Sequence, residues 1–384
     1  MNTRVKKRET FYLAGYDPRG ARYYHDLYKN ESLLQSQVNG MDISVGKRKR
    51  SEIYVQTWSV DSNTKGLHTE TQYHFLEWDD IIREDWKKNF LELFFDLLFY
   101  FKTYILAGRF SQYMIISPYQ MVGIFLPSVY TFFALLLAIF LGYQTYLYFD
   151  SSLGVVIGLG LFYLIMYVLI TAARKIAIFW LVRIFVFSAR YALHEQKVLE
   201  SRLDIFATYI EKHIKTAKEN NVDELLLVCH SVGTILMIPL LEKILKNLNK
   251  SSDIQLSVLV LGECIPLVTC INKATEYKLK MEYIAKSKHI NLVDYTTVID
   301  GACFPTLNYF EDAHIEISQK DKFHFLSARF HTLFSKKRYK ELRKNKYLTH
   351  FIYFMATEIE GDYDFFKMTA GHTRLNHKQG TIDG

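Results

Sequence analysis

The chain has 384 residues, of which 49% are apolar and 15% aromatic, and it carries only six prolines. That balance excludes a disordered protein and long Pro-rich linkers, and the length exceeds one average domain of about 100–200 residues. A net charge of +7 admits two kinds of partner, nucleic acid or an anionic membrane surface. The basic residues are dispersed and several flank apolar stretches, which favours a lipid bilayer and argues against nucleic acid.

The four cysteines, Cys229, Cys264, Cys270 and Cys303, form no CxxC pair. Three lie in strongly apolar strings and read as buried, reduced thiols of a cytosolic compartment. They make neither a zinc pattern nor a disulfide framework. The opening MNTRVKKRETFYLAG is basic but no adequate apolar region follows, so it does not read as a secretory signal.

In chain order, Thr10–Ala14 is a short β-like run that ends in the turn GYDPRG. Ile53–Val60 alternates apolar and polar residues, as a half-buried strand does. Phe75–Lys88 reads as a polar amphipathic helix, with Asp79 and Asp80 suited to its first turn.

No charged residue occurs from Phe110 to Phe149, and none from Ser151 to Ala173. A spanning helix needs about 20 consecutive apolar residues. These stretches predict two spans, Met121–Gly142 and Gly154–Ala172, joined by a short aromatic turn. A buried hairpin of a soluble protein is the alternative. The turn holds Asp150 and no Lys or Arg. Lys87, Lys88, Lys102 and Arg109 lie on one outer flank, and Arg174, Lys175, Arg183 and Arg190 on the other. Positive residues stay inside, so both termini are expected in the cytoplasm. Lys175–Arg190 reads as a juxtamembrane helix lying at the interface.

Beyond the hairpin, His194–Asn220 is helical by periodicity. Glu224–Val228 is an apolar run of the kind found in buried parallel strands. Val232–Leu248 is a helix, Gln255–Leu261 a second strand, Ala274–Lys286 a helix and His289–Val293 a third strand. Strand alternating with helix implies an α/β fold with a parallel sheet.

The string LLLVCHSVGTILMIPLLEKIL sets Ser231 between a buried strand and a helix, the context of a nucleophile elbow. Residues two before and two after the serine must be small. Gly233 meets that need, and Cys229 stands where glycine usually does. The turn would lift the Ser231 hydroxyl clear of the sheet and aim the helix N-terminus at an oxyanion, with the Val232 N–H as one donor. The other reading is a chance S-x-G at an ordinary turn. On this fold the acid and then the base follow in the chain. Asp300, in the loop after the third strand, is the preferred acid, with Asp294 as the alternative. His350, opening HFIYFMATE, is the preferred base, with His331 next and then His314, His324 and His372. The turn GYDPRG follows the first strand and supplies the second oxyanion donor, at Gly15 or Tyr16. Arg19 and Arg22 suit an anionic headgroup or carboxylates of the fold.

Together the strings FYLAGYDPRGARYYH, FLEWDDIIREDW, LLLVCHSVG, DYTTVIDGACFP and HFIYFMATEIEGDYDFF resemble a bacterial family of membrane-anchored α/β hydrolases, described generally as lipase-like. The resemblance covers most of the chain outside the hairpin. It implies the α/β-hydrolase fold and a serine nucleophile at Ser231. Many lipase-like hydrolases carry an aromatic two residues after the catalytic histidine. Here Tyr353 stands one residue further from His350.

The expectation is therefore a serine esterase of the inner membrane with a Ser231–His350–Asp300 triad, acting on a lipid or acyl ester without metal or organic cofactor. Residues 1–110 would supply the first strands and the oxyanion loop, 111–190 the membrane anchor and 191–384 the triad. Two rivals stand beside it: a non-catalytic membrane scaffold that keeps the fold, and an acyltransferase that uses the same serine. Nothing in the sequence sets the oligomeric state.

Overall fold

A computed structural model describes residues 4–86, 90–107, 118–149, 151–175, 178–248 and 255–376. The chain divides into two compact units, one made of Met1–Lys88 with Arg190–Gly384 and the other of Asn89–Ala189.

The first unit begins with β1 (Lys7–Leu13), α1 (Ala21–Asn39), β2 (Asp42–Val45), β3 (Lys49–Glu52), β4 (Val55–Thr64), β5 (Leu67–Leu76) and α2 (Asp79–Trp86). The second unit carries α3 (Phe90–Tyr100), α4 (Pro118–Phe149), α5 (Ser152–Lys175) and most of α6 (Ile178–Ala192). The first then resumes with α7 (Lys197–Thr216), β6 (Glu224–His230), α8 (Val232–Asn247), β7 (Leu256–Leu261), α9 (Thr275–Ala285), β8 (Ile290–Thr296) and β9 (Phe323–Ser327).

Among the described residues the sheet has nine strands in the order β2-β4-β5-β1-β6-β7-β8-β9, with β3 beside β4. From β5 to β9 every neighbouring pair is parallel, and β2, β3 and β5 each lie antiparallel to β4. The fold is thus α/β with a mostly parallel sheet. All seven residues of β6 are buried, as expected where both sheet faces are covered. One face packs Tyr12, Trp58, Tyr73, Phe75, Val228 and Val293 against α1 and the C-terminal segment. On the other face Phe11 meets Tyr209 and His213 of α7.

The helix α1 was not foreseen from sequence. Its buried positions Ala21, Tyr24, Tyr28, Ser32 and Gln35 fall on one stripe, but two of the five, Ser32 and Gln35, are polar. Gln35 answers Thr357 and Asp364 with hydrogen bonds instead of apolar contact. The β4–β5 hairpin turns on Lys65 and Gly66, both with positive φ, the geometry of a two-residue type I′ turn.

An ion pair pins the middle of the sheet. Arg8 Nε of β1 donates to Glu224 Oε2 of β6 at 2.7 Å, and neither side chain is more than 1% exposed. Arg8 also donates to the carbonyls of Gly371 and Thr373. Glu224 Oε1 accepts from Ser257 Oγ of β7 and from the Leu375 N–H.

In the second unit, two helical segments, Phe125–Phe149 and Ser152–Ala173, are long and apolar enough to cross a membrane, and only 17% and 11% of their most apolar windows are buried. So little burial argues against the alternative in which the hairpin is a buried core. The helices meet through glycine: a Cβ on Gly158 would come 2.7 Å from the Gly142 carbonyl oxygen. Tyr130 donates to the Leu169 carbonyl across the same pair. The helix α6 differs from expectation. Val182–Ala189 are buried all the way round, including Arg183, so it lacks the wet face of a helix lying at an interface. The unit also starts ahead of residue 110, because Tyr100 of α3 stacks on Phe185 and Tyr104 donates to the Phe185 carbonyl. Lys87, Lys88, Arg109 and Asp150, used above for orientation, lie outside the described residues, as do the Arg174 and Lys175 side chains.

Replacing Glu224 by Gln leaves the Arg8 guanidinium buried without its countercharge. Unfolding of the purified chain in denaturant should lose about 3–5 kcal/mol of stability, whereas the exposed-pair change Glu360→Gln should cost under about 1 kcal/mol.

Candidate active site

The strands β1 and β6 are neighbours, yet the chain runs from β1 towards one sheet edge and resumes at β6 towards the other. That reversal is a switch point, where a crevice opens beyond the carboxyl ends of the strands. Ser231 follows β6 there, and Gly15 and Tyr16 follow β1.

Ser231 has φ +55° and ψ −127°, a conformation that costs a non-glycine residue of order 1–3 kcal/mol. Its surroundings hold it there. The Ser231 N–H donates to the Leu261 carbonyl at the end of β7. Its own carbonyl accepts from the Thr234 N–H and hydroxyl, at 2.8 and 2.6 Å. A Cβ on Gly233 would lie 2.5 Å from the Leu13 oxygen, and one on Gly15 would lie 2.7 Å from Ser231 Cβ. Only glycine lets the β1 backbone come this close.

His350 Nε2 lies 2.7 Å from Ser231 Oγ, and His350 Nδ1 lies 3.0 Å from both oxygens of Asp300. A carboxylate only accepts, so Nδ1 carries the proton and Nε2 offers its lone pair to the serine hydroxyl. Asp300 also accepts from the Ala302 N–H at 3.0 Å and from the Tyr353 hydroxyl at 3.2 Å. Asp300 is fully buried, and Ser231 and His350 are each 2% exposed. The structure thus brings together the three residues picked out in sequence. What the arrangement can do is take the proton from a serine hydroxyl and stabilise the imidazolium that results.

The β1 turn and the start of α8 hold the residues expected to receive an oxyanion. Val232 is the first residue of α8, where the helix offers its N–H no partner of its own. The Tyr16 ring stacks on Trp86 and its hydroxyl donates to Asp85. Asp17 holds the turn, accepting from the Tyr24 hydroxyl and twice from the Arg19 guanidinium. The guanidinium lies over the rings of Tyr23 and Phe351, 3.8 and 4.6 Å from their centroids. Arg19 therefore serves a carboxylate of the fold and ties the turn to the His350 segment. Arg22, largely exposed, lies 3.9 Å from Asp26.

The alternatives fall elsewhere. Asp294 sits inside β8, opposite Val260, and neither of its carboxylate oxygens has a hydrogen-bond partner among the described residues. His314 and His331 are exposed, and His324 belongs to β9. The backbone carbonyl of His372 accepts from Val5.

Several neighbours were not visible in the sequence. His230 Nε2 donates to the His350 carbonyl at 2.8 Å, steadying the segment that carries the base. Burial, and then the nearby His350, push its pKa well below the usual histidine value, so its ring stays neutral. Cys264 Sγ lies 3.8 Å from Ser231 Oγ, and burial raises its pKa and keeps it a thiol. Gly262 has φ +56°, and a Cβ there would strike the Tyr353 ring at 2.8 Å. Tyr353 itself was noted only for its spacing.

No protein-family model, no curated protein and no solved structure matches the chain.

Glu263 and Asp294 are fully buried neighbours. Burial raises the pKa of both, and the Asp294 charge raises that of Glu263 further. Carboxyls raised in this way hold protons that the unfolded chain releases above about pH 4. Their contribution to stability is complete below that pH and drains away as pH rises towards the raised folded values. Unfolding free energy should fall by up to roughly 1.4 kcal/mol per pH unit per proton above about pH 5. In Asp294→Asn that slope should flatten, measured by denaturant titration across pH.

Proposed function

We propose that the chain is a membrane-anchored serine hydrolase of α/β-hydrolase-like fold, cleaving a carboxylic ester of a lipid or acyl substrate. The observation that carries this reading is the continuous relay from Asp300 through His350 to Ser231 Oγ, on a serine held at positive φ. The resemblance of five strings of the chain to lipase-like hydrolases of bacterial membranes points the same way.

Ser231 Oγ attacks the ester carbonyl while His350 Nε2 takes its proton. Asp300 keeps the imidazole in the required tautomer and steadies its positive charge. The Val232 N–H and an N–H at Tyr16 receive the oxyanion. Collapse of the tetrahedral intermediate breaks the bond to the alkoxy group, which leaves as the alcohol with the proton from His350. Water, deprotonated by His350, then attacks the acyl-serine and releases the carboxylic acid.

The two apolar helices favour a bilayer as the place of work, and ester-bearing lipids are the acyl substrates at hand there. Lys and Arg on the outer flanks of the hairpin favour a cytoplasmic position for both termini in a bacterial inner membrane.

A fluorophosphonate probe should label wild type and leave Ser231→Ala unlabelled. A folded wild type that takes up no probe would sink the hydrolase reading in favour of a scaffold. Against p-nitrophenyl acyl esters, Asp300→Asn should lose about 10⁴-fold and His350→Ala up to about 10⁶-fold in kcat. His331→Ala should keep wild-type turnover. Preferred transfer of the acyl group to an added alcohol over water would make the protein an acyltransferase.

For topology, a C-terminal fusion should be active as a cytoplasmic reporter. Activity of a periplasmic reporter at the same position would overturn the orientation.

A further inference from the structure

A second cluster of chemistry-bearing side chains lies on the α7 face of the sheet and shares no residue with the Ser231 site. Glu9 stands in β1, two residues before Phe11, and Phe11 is paired with His74 of β5. Alternation along a strand puts Glu9 and Phe11 on one face, and the stacking of Phe11 on His74 puts the histidine there too. His213 reaches the same place from α7, one turn beyond Tyr209, with its ring centroid 4.7 Å from that of His74. One ligand atom from each of Glu9, His74 and His213 lies within 4.8 Å of the others.

Hydrogen bonding within the cluster accounts for part of it. His213 Nδ1 lies 2.6 Å from Glu9 Oε2, and His74 Nδ1 lies 2.8 Å from the Tyr209 hydroxyl. It leaves one atom unexplained. His74 is 98% buried, by its 2% exposure, and its Nε2 has no hydrogen-bond partner among the described residues. A buried imidazole nitrogen of this kind forgoes a bond worth about 1–3 kcal/mol unless something else binds it. Beside it is a cavity of about 460 Å³ lined by Glu9, Lys49, Thr57, His74, Lys212 and His213.

We propose that Glu9, His74 and His213 form a binding site for a divalent cation of the zinc class. Two imidazoles and one carboxylate are the donor set of three-ligand zinc sites, which keep a fourth position open. That position would face the cavity and take water or an anion, with Lys49 and Lys212 in the same lining. Ligand atoms around such an ion stand about 3.4 Å apart for bonds near 2.1 Å, so His213 Nδ1 and Glu9 Oε2, now 2.6 Å apart, part as the ion enters and their hydrogen bond gives way to it. The Tyr209 hydroxyl fits as a support: by accepting from His74 Nδ1–H it would fix the tautomer whose Nε2 lone pair is free for the ion. The ion would join β1, β5 and α7 at one point.

The test uses the full-length chain in detergent, with its purification tag removed and stripped by chelator. Incubation with Zn²⁺ followed by gel filtration and elemental analysis should leave one ion per chain and raise the unfolding temperature. Glu9→Gln and His213→Gln should bind Zn²⁺ at least about tenfold more weakly, while His68→Gln, at an exposed histidine, should bind as wild type does. Co²⁺ loaded into wild type should give visible d–d bands without a thiolate charge-transfer band, which separates this site from the four cysteines even if a variant fails to fold. No retained ion in wild type, equal retention in Glu9→Gln and His213→Gln, or a thiolate band would each overturn the site. None of these outcomes depends on hydrolase activity.

Discussion

The contact on which the first unit depends is backbone against backbone, where the end of β1 meets the turn after β6. The Leu13 and Ala14 carbonyls occupy the space that a side chain at residue 233 would need, and Ser231 Cβ occupies the space beside Gly15. Two glycines are therefore obligatory for one approach. The approach seats the serine turn against the β1 loop, so that the hydroxyl and the loop N–H groups share the same end of the sheet. It also leaves the strained φ of Ser231 nowhere to relax.

Around that contact the polar groups are arranged in layers. His350, Asp300 and Tyr353 form the first chain of hydrogen bonds, and His230 steadies it from behind through the His350 carbonyl. Arg19 and Asp17 lock the β1 loop and press it on Phe351. At the opposite ends of the strands, Arg8 and Glu224 do similar work for β1, β6, β7 and the C-terminal segment. Buried charges are costly, and each of these is paired or hydrogen-bonded.

Where apolar periodicity is strong, sequence and structure agree closely: β6 begins at Glu224, α8 at Val232 and β7 ends at Leu261 in both. Two of the elements missed bury polar residues. The strand β5, LHTETQYHFL, buries Thr69, Thr71 and His74, and no hydropathy pattern marks it as interior. The helix α1 hides for the same reason. At the site, chain order put Asp300 and His350 among the candidates and left Asp294 and His331 beside them, because an acid after the third strand and a later histidine are what such a relay needs. His230, Thr234, Gly262 and Cys264 escaped, since their parts depend on distances set only when β6, β7 and β8 lie side by side. Asp294 shows the limit of chain order: it follows the same strand core as Asp300, yet strand alternation turns it away into the interior beside Glu263.

The insertion of the helical unit between β5 and β6 has a consequence for how the molecule is made. Arg8 and Glu224 touch across adjacent strands but are 216 residues apart in the chain. At ribosomal speeds of about 5–20 residues per second, β1 waits on the order of ten seconds or more with one edge unpaired. An open edge invites pairing with the wrong chain. Just under half of that wait is spent on synthesis of Asn89–Ala189, so the sheet can be completed only after the apolar hairpin has emerged. Assembly of the centre of the sheet is in this way subordinate to the fate of the segment that interrupts it.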